Sequence, residues 1–130
     1  MDEIEQAIRD SVIEGELACV AAFLIADRLS VNPLDVGQGA DVLGVRLSKC
    51  QLGLFGYGPK SEGKHRRVNA MSDVPANLEE AIRASLDRDG KLTCAAAWRI
   101  ADELEVPRQT VSDAAEGLGV RVKDCQLGAF

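Results

Sequence analysis

The chain holds a single histidine, His65, and none of its four cysteines stands in a Cys-x-x-Cys pair. That spacing excludes a zinc finger, which needs clustered Cys and His ligands. No apolar run approaches the roughly 18 residues of a membrane-spanning helix. The start, MDEIEQAIRD, is acidic and helical in pattern, whereas a secretory signal needs a basic start and an apolar stretch. The expected compartment is therefore the cytoplasm, where the thiols stay reduced. Positive charge is in short supply too: 15 basic against 21 acidic residues give a net charge of −6. An evenly charged nucleic-acid binder would be basic, so any such role must come from a local patch. The glycines of GLFGYG at 53–58 lack the strand before and the helix after that a phosphate loop requires. Carboxylates are scattered, with no partner to tune a pair for acid–base work. No catalytic residue, metal or cofactor is expected, and the chain does not read as an enzyme.

What the chain has is a repeat. Residues 15–55 align with 90–130 at an offset of 75, with 21 identities in 41 positions. Three blocks carry it: IAD at Ile25 and Ile100, LGVR at Leu43 and Leu118, and CQLG at Cys50 and Cys125. Upstream, residues 4–14 match 78–88 at an offset of 74. The division is a first unit over 1–55, a basic Gly/Pro/Ser-containing linker over 56–77, and a second unit over 78–130. Units of this size sit near the lower limit for an independent core, so they should pack on each other or on another chain.

Each unit opens with a helix whose apolar or small residues recur at 4, 7, 8, 11 spacing: Ile4, Ala7, Ile8 and Ser11, then Leu78, Ala81, Ile82 and Ser85. A break at Gly15 or Gly90 leads through a very short strand into a second helix, about 18–29 and 93–104. It is apolar nearly all round, with Phe23 and Trp98 as the expected large core side chains. Thr93 is a good N-cap. Proline at 33 and 107 marks the turn into a third helix, with Asn32 as cap, and Gly44 and Gly119 end it. A tail of β character closes each unit, with a bulge or turn at Lys49 or Asp124.

This order resembles the winged helix–turn–helix superfamily. The resemblance rests on Ala26 and Ala101 before the turn, Val31 and Val106 within it, Val36 and Val111 as anchors of the third helix, and Leu29, Leu104, Leu43 and Leu118 around them. The usual turn glycine is replaced by Ser30 and Glu105. It implies a mainly α chain with short β hairpins or strands: two tandem winged helix–turn–helix-like three-helix units. It also implies a third helix that enters the major groove. In the second unit Arg108, Gln109, Thr110 and Ser112 would read bases or phosphates. In the first, Leu34, Asp35 and Asp41 leave only Gln38 as a reader. Lys64, Arg66 and Arg67 of the linker could follow phosphates or a minor groove.

Two functions follow as expectations. One is a DNA-binding transcriptional regulator, with duplex DNA as partner and the second unit as the better reader. The other is a non-enzymatic interaction or dimerisation module, with acidic third helices docking another protein or a second copy. In either case Gln51, Leu52 and Phe55, with Gln126, Leu127 and Phe130, are expected to pack at a repeat or partner interface. Cys19 and Cys94 read as inert core thiols, and Cys50 and Cys125 could meet if the tails pair.

Overall fold

A computed structural model describes residues 2–58, 62 and 65–130. The protein is mainly helical with a few short strands. In order the elements are α1 (Glu3–Ser11), β1 (Glu16–Ala18), α2 (Cys19–Leu29), α3 (Pro33–Leu43), β2 (Arg46–Ser48), α4 (Ala76–Ala84), β3 (Leu92–Thr93), α5 (Cys94–Leu104), α6 (Arg108–Gly117) and β4 (Val122–Lys123). α1 packs on α2 and α3, and α4 on α5 and α6. Each trio closes on its own apolar stripes: Ala7, Ile8, Ala22, Ile25, Ala26, Val36 and Ala40 in the first, Leu78, Ile82, Ala97, Ile100, Ala101, Val111 and Ala115 in the second.

The helix ends have local causes. Asp2 accepts from the Glu5 amide at 2.8 Å, and Thr93 accepts from the Ala96 amide at 3.1 Å, each satisfying a donor that the first turn leaves free. Pro33 opens α3, but Asn32 makes no side-chain capping bond. Ser30 and Glu105 end α2 and α5 in the left-handed region, at φ 56° and 55°. The following Val31 and Val106 amides then return to the Ala26 and Ala101 carbonyls.

The strands differ from expectation. They pair in parallel, Leu17 opposite Leu47 and Leu92 opposite Val122, so neither pair is a hairpin. A parallel pair needs a crossover between its strands. Here the two helices α2 and α3, or α5 and α6, supply it. The tails after β2 and β4 are tight loops instead of strands. In both copies Gly53 or Gly128 donates to the Cys50 or Cys125 carbonyl at 2.9 Å, and that cysteine's own amide donates to the carbonyl of Phe55 or Phe130. Lys49 and Asp124, at φ 49° and 54°, make the turn into each loop.

The tails are exchanged. Cys50 and Leu52 of the first tail lie in the core formed by α4, α5 and α6. Leu127 lies in the core formed by α1, α2 and α3, with Cys125 packed against it. Gly37 of α3 makes room for this: a Cβ there would collide with the Leu127 carbonyl oxygen. Reciprocally, Gly53 sits against the Gln109 side chain of α6, and Gly128 against Leu34 of α3. The large aromatics stand at the seam: Phe23 packs against its own core, and Trp98 packs against both cores. Phe23 and Trp98 meet across the units at 4.3 Å between ring centroids, and Phe55 meets Phe130 edge-on at 6.0 Å.

Candidate interaction faces and central cleft

Three regions gather the residues of interest: the outer face of α6, the matching face of α3, and a cleft between the units.

The α6 face is occupied from within the chain. The Arg108 guanidinium lies 3.7 Å from the centre of the Trp98 ring, donates to Gln51 Oε1, and stands 3.9 Å from Asp102. A cation over an indole face and a charge-assisted hydrogen bond both restrain it. Gln109 Nε2 donates to the Arg67 carbonyl at 3.0 Å. Ser112 is only 2% exposed, and Thr110 is half-buried. Residues 66–71 run along the same helix. Arg66 pairs with Glu116 at 3.2 Å. The Asn69 amide donates to Asp113 Oδ1, and the Met71 amide to the Asp113 carbonyl, both at 3.0 Å. Gly117 permits this approach, because a Cβ there would strike the Met71 carbonyl oxygen. Arg67 stacks on the Tyr57 ring at 4.3 Å, and its amide donates to the Gly53 carbonyl at 2.7 Å. Part of the expected linker is therefore a fitted segment, a role that its Gly, Pro and Ser content concealed. Lys64 lies outside the described residues.

The α3 face carries the equivalents of these contact residues and is open. Leu34, Gln38, Asp41 and Val42 stand where Gln109, Asp113, Glu116 and Gly117 stand in α6. Leu34 is 46% exposed and Val42 77%, while Asp35, Gln38 and Asp41 are exposed. A shallow groove of about 270 Å³ runs between α1 and α3, lined by Asp2, Ile4, Glu5, Asp35, Gln38, Gly39 and Val42. Three of its seven residues are carboxylates, so it presents an apolar strip under negative charge.

The cleft is larger, about 1070 Å³, and takes matching residues from both units. Asp41 and Glu116, Val45 and Val120, Arg46 and Arg121, Leu47 and Val122, and Phe55 and Phe130 line it in pairs, with His65, Arg66 and Ser112 added on one side. Ser112 Oγ and His65 Nδ1 are buried there without a hydrogen-bond partner among the described residues.

The tail glutamines point back to their own units. Gln51 Nε2 faces Cys19 Sγ at 4.0 Å and Gln126 Nε2 faces Cys94 Sγ at 3.6 Å. Burial pushes the Cys19 thiol up to about 12 and raises Cys50 and Cys94. These thiols stay protonated and poorly nucleophilic at neutral pH. Cys50 and Cys125 belong to different cores, and all four cysteines are free. Among the described residues no cluster of His, Cys, Asp and Glu could hold a metal, and no helix is long and apolar enough to cross a membrane.

The occupancy of α6 and the exchanged tails lay beyond a reading of each repeat alone. The signal that bears on the first is Gly117, a glycine in the last turn of α6 where α3 has Val42. No family model, curated protein or solved structure matches the chain.

Proposed function

We propose that the protein is a non-enzymatic interaction module that docks an extended, basic segment of a partner protein along the α1–α3 groove. One observation carries this reading: the equivalent face of α6 already holds an extended segment of this chemistry. Arg66–Glu116 and the two amide bonds to Asp113 are its anchoring contacts. On α3 the same positions offer Asp41 for an arginine and Gln38 for a backbone amide. Asp2, Glu5 and Asp35 strengthen the negative field around them. Val42 replaces the glycine that lets residues 66–71 approach so closely, so α3 takes a different segment, one that lays an apolar side chain on Val42. This assignment also gives a role to the exposed Val42, which lines the groove, and to the exposed Leu34 on the same helix, since exposed apolar side chains at an acidic groove mark a contact surface.

The regulator reading requires Arg108 and Gln109 to leave their partners within the chain, and the buried Ser112 to become exposed, before they reach a base edge. That displacement would cost affinity.

A calorimetric titration separates the two. An arginine-rich pool of random decapeptides should bind, a glutamate-rich pool should not, and Asp35→Asn with Asp41→Asn should abolish the binding. Random duplex DNA, titrated across a salt series, should show no steep salt dependence. DNA binding that falls steeply with salt, and strengthens with the same two substitutions, would sink the module and restore the regulator.

A further inference from the structure

The central cleft is built unlike the docking groove, and of its lining only Asp41 also serves the docking proposal. Within residues 15–55 and their repeat, only two charged positions are identical in both copies: Asp27 with Asp102, and Arg46 with Arg121. The second pair lines the cleft from its two sides. Neither arginine makes an ion pair among the described residues, whereas Arg66 in the same cleft is held by Glu116. Val45, Val120, Leu47, Val122 and the Phe55–Phe130 pair line the same cleft. A mixed surface of this kind, with apolar side chains beside two uncommitted guanidiniums, suits a molecule with a hydrophobic body and an acidic group. Ser112 supplies the independent sign of a missing partner. It is 2% exposed, lines the cleft, and leaves its hydroxyl unpaired. Buried polar atoms without partners are uncommon, because losing water without a replacement costs free energy. A bound ligand's oxygen would satisfy that hydroxyl, and His65 Nδ1, on the same side, could bind a second polar atom.

From this geometry we infer that the cleft between the exchanged tails is a binding site for a small amphipathic anion, an aromatic acid in chemical class. Its acidic group is held by Arg46 and Arg121, its ring lies over Phe55 and Phe130, and Ser112 donates to its acceptor. Asp41 stands at the same cleft and Glu116 is neutralised by Arg66, so one carboxylate opposes two free cations. The site therefore selects for negative charge in a chain whose net charge is −6. It lies between the units, so its ligand would bind only when both tails are in place. It shares only Asp41 with the partner site proposed on α3, and Asp41 makes none of the ligand's contacts.

The test uses the full chain with anilinonaphthalene sulfonate as an anionic aromatic probe and phenylnaphthylamine as its uncharged counterpart. The sulfonate should bind at one saturable site, seen as a fluorescence rise, and should move the urea midpoint of unfolding upward, as a ligand of the native state must. Arg46→Gln and Arg121→Gln should each weaken it about tenfold, the loss expected for one charge-assisted hydrogen bond. Both are exposed side chains, so these variants should keep the parent's unfolding slope. Ala129→Trp, which fills the cleft from an exposed position, should block the probe. Equal binding of the uncharged counterpart, sulfonate binding that survives both arginine substitutions, a lowered midpoint, or no saturable binding would each overturn the assignment.

Discussion

Ser30 and Glu105 hold a conformation that L-residues avoid, at a cost of about 1–2 kcal/mol each. Both lie at the turn between helices, where the chain must reverse before Val31 and Val106 drop inward. Glycine would remove that cost and lose part of the gain to its greater freedom when unfolded. Glu105→Gly should therefore stabilise the protein by about 0.5–1 kcal/mol, and Ser30→Gly similarly. The readout is a higher urea midpoint at unchanged slope. A lower midpoint would mean that the side chains contribute more than the backbone strain costs. Asp87 makes a prediction of another kind. It accepts from Lys123 Nζ and from the Lys91 and Asp89 amides, and the Lys123 bond first, then the amides, draws its carboxyl down to about 2. Because the folded value lies below the unfolded one near 4, the charged form favours folding at higher pH. That stability is complete above about pH 4 and is lost as pH falls toward 2. Asp87→Asn should flatten the decline in stability across this window. An unchanged acid profile would show that the bond is too solvated to matter.

At the scale of elements, helix positions were legible because periodic apolar residues and special turn residues agree with one another. Ile4, Ala7 and Ile8 mark a helical stripe in any fold, and Pro33 with Gly44 brackets α3. What packs on a helix was less legible. Arg108 and Gln109 stand at the start of α6 as an outward-facing reader would, and nothing local says that Trp98, Gln51 and Arg67 cover them. Their partners come from elements 10 to 57 positions away, and periodicity carries no information at that range. The seating of residues 66–71 can be broken by one atom. Gly117→Ala adds a methyl where the Met71 carbonyl lies, so the segment should lift from α6. Limited proteolysis with trypsin should then cut after Arg66 or Arg67 at least several-fold faster, while the circular dichroism of the helices stays intact. Alanine is also the better helix former, so α6 itself should not weaken. Cleavage at the parent's rate would mean that the bonds to Asp113 and Glu116 hold the segment without the close approach.

On the scale of the whole molecule, the repeat shows that Leu52 and Leu127 are buried but not where. An apolar loop that differs only at Leu54 and Ala129 fits the same socket in either copy, so folding back at home and exchanging across the dyad leave the same sequence pattern. The distinction lies in reach: β2 and β4 deliver each tail toward the opposite trio, and Phe23 against Trp98 holds the trios close enough to receive them. Exchange has an energetic consequence. Neither trio closes its core without a side chain from the other, so the chain should unfold in one transition although it contains two similar units. Leu52→Ala should cost about 2–5 kcal/mol, the usual range for a fully buried leucine. The informative readout is which amides lose protection first. Leu52 fills the α4–α6 core, so hydrogen exchange should accelerate in α4, α5 and α6 ahead of α1, α2 and α3, although the substitution lies on the first unit's side of the linker. Leu127→Ala should show the mirror pattern, with α1 to α3 loosened first. If each substitution instead loosened its own trio, the tails would be packing at home, and the cleft between them would lose the paired lining on which its ligand site depends.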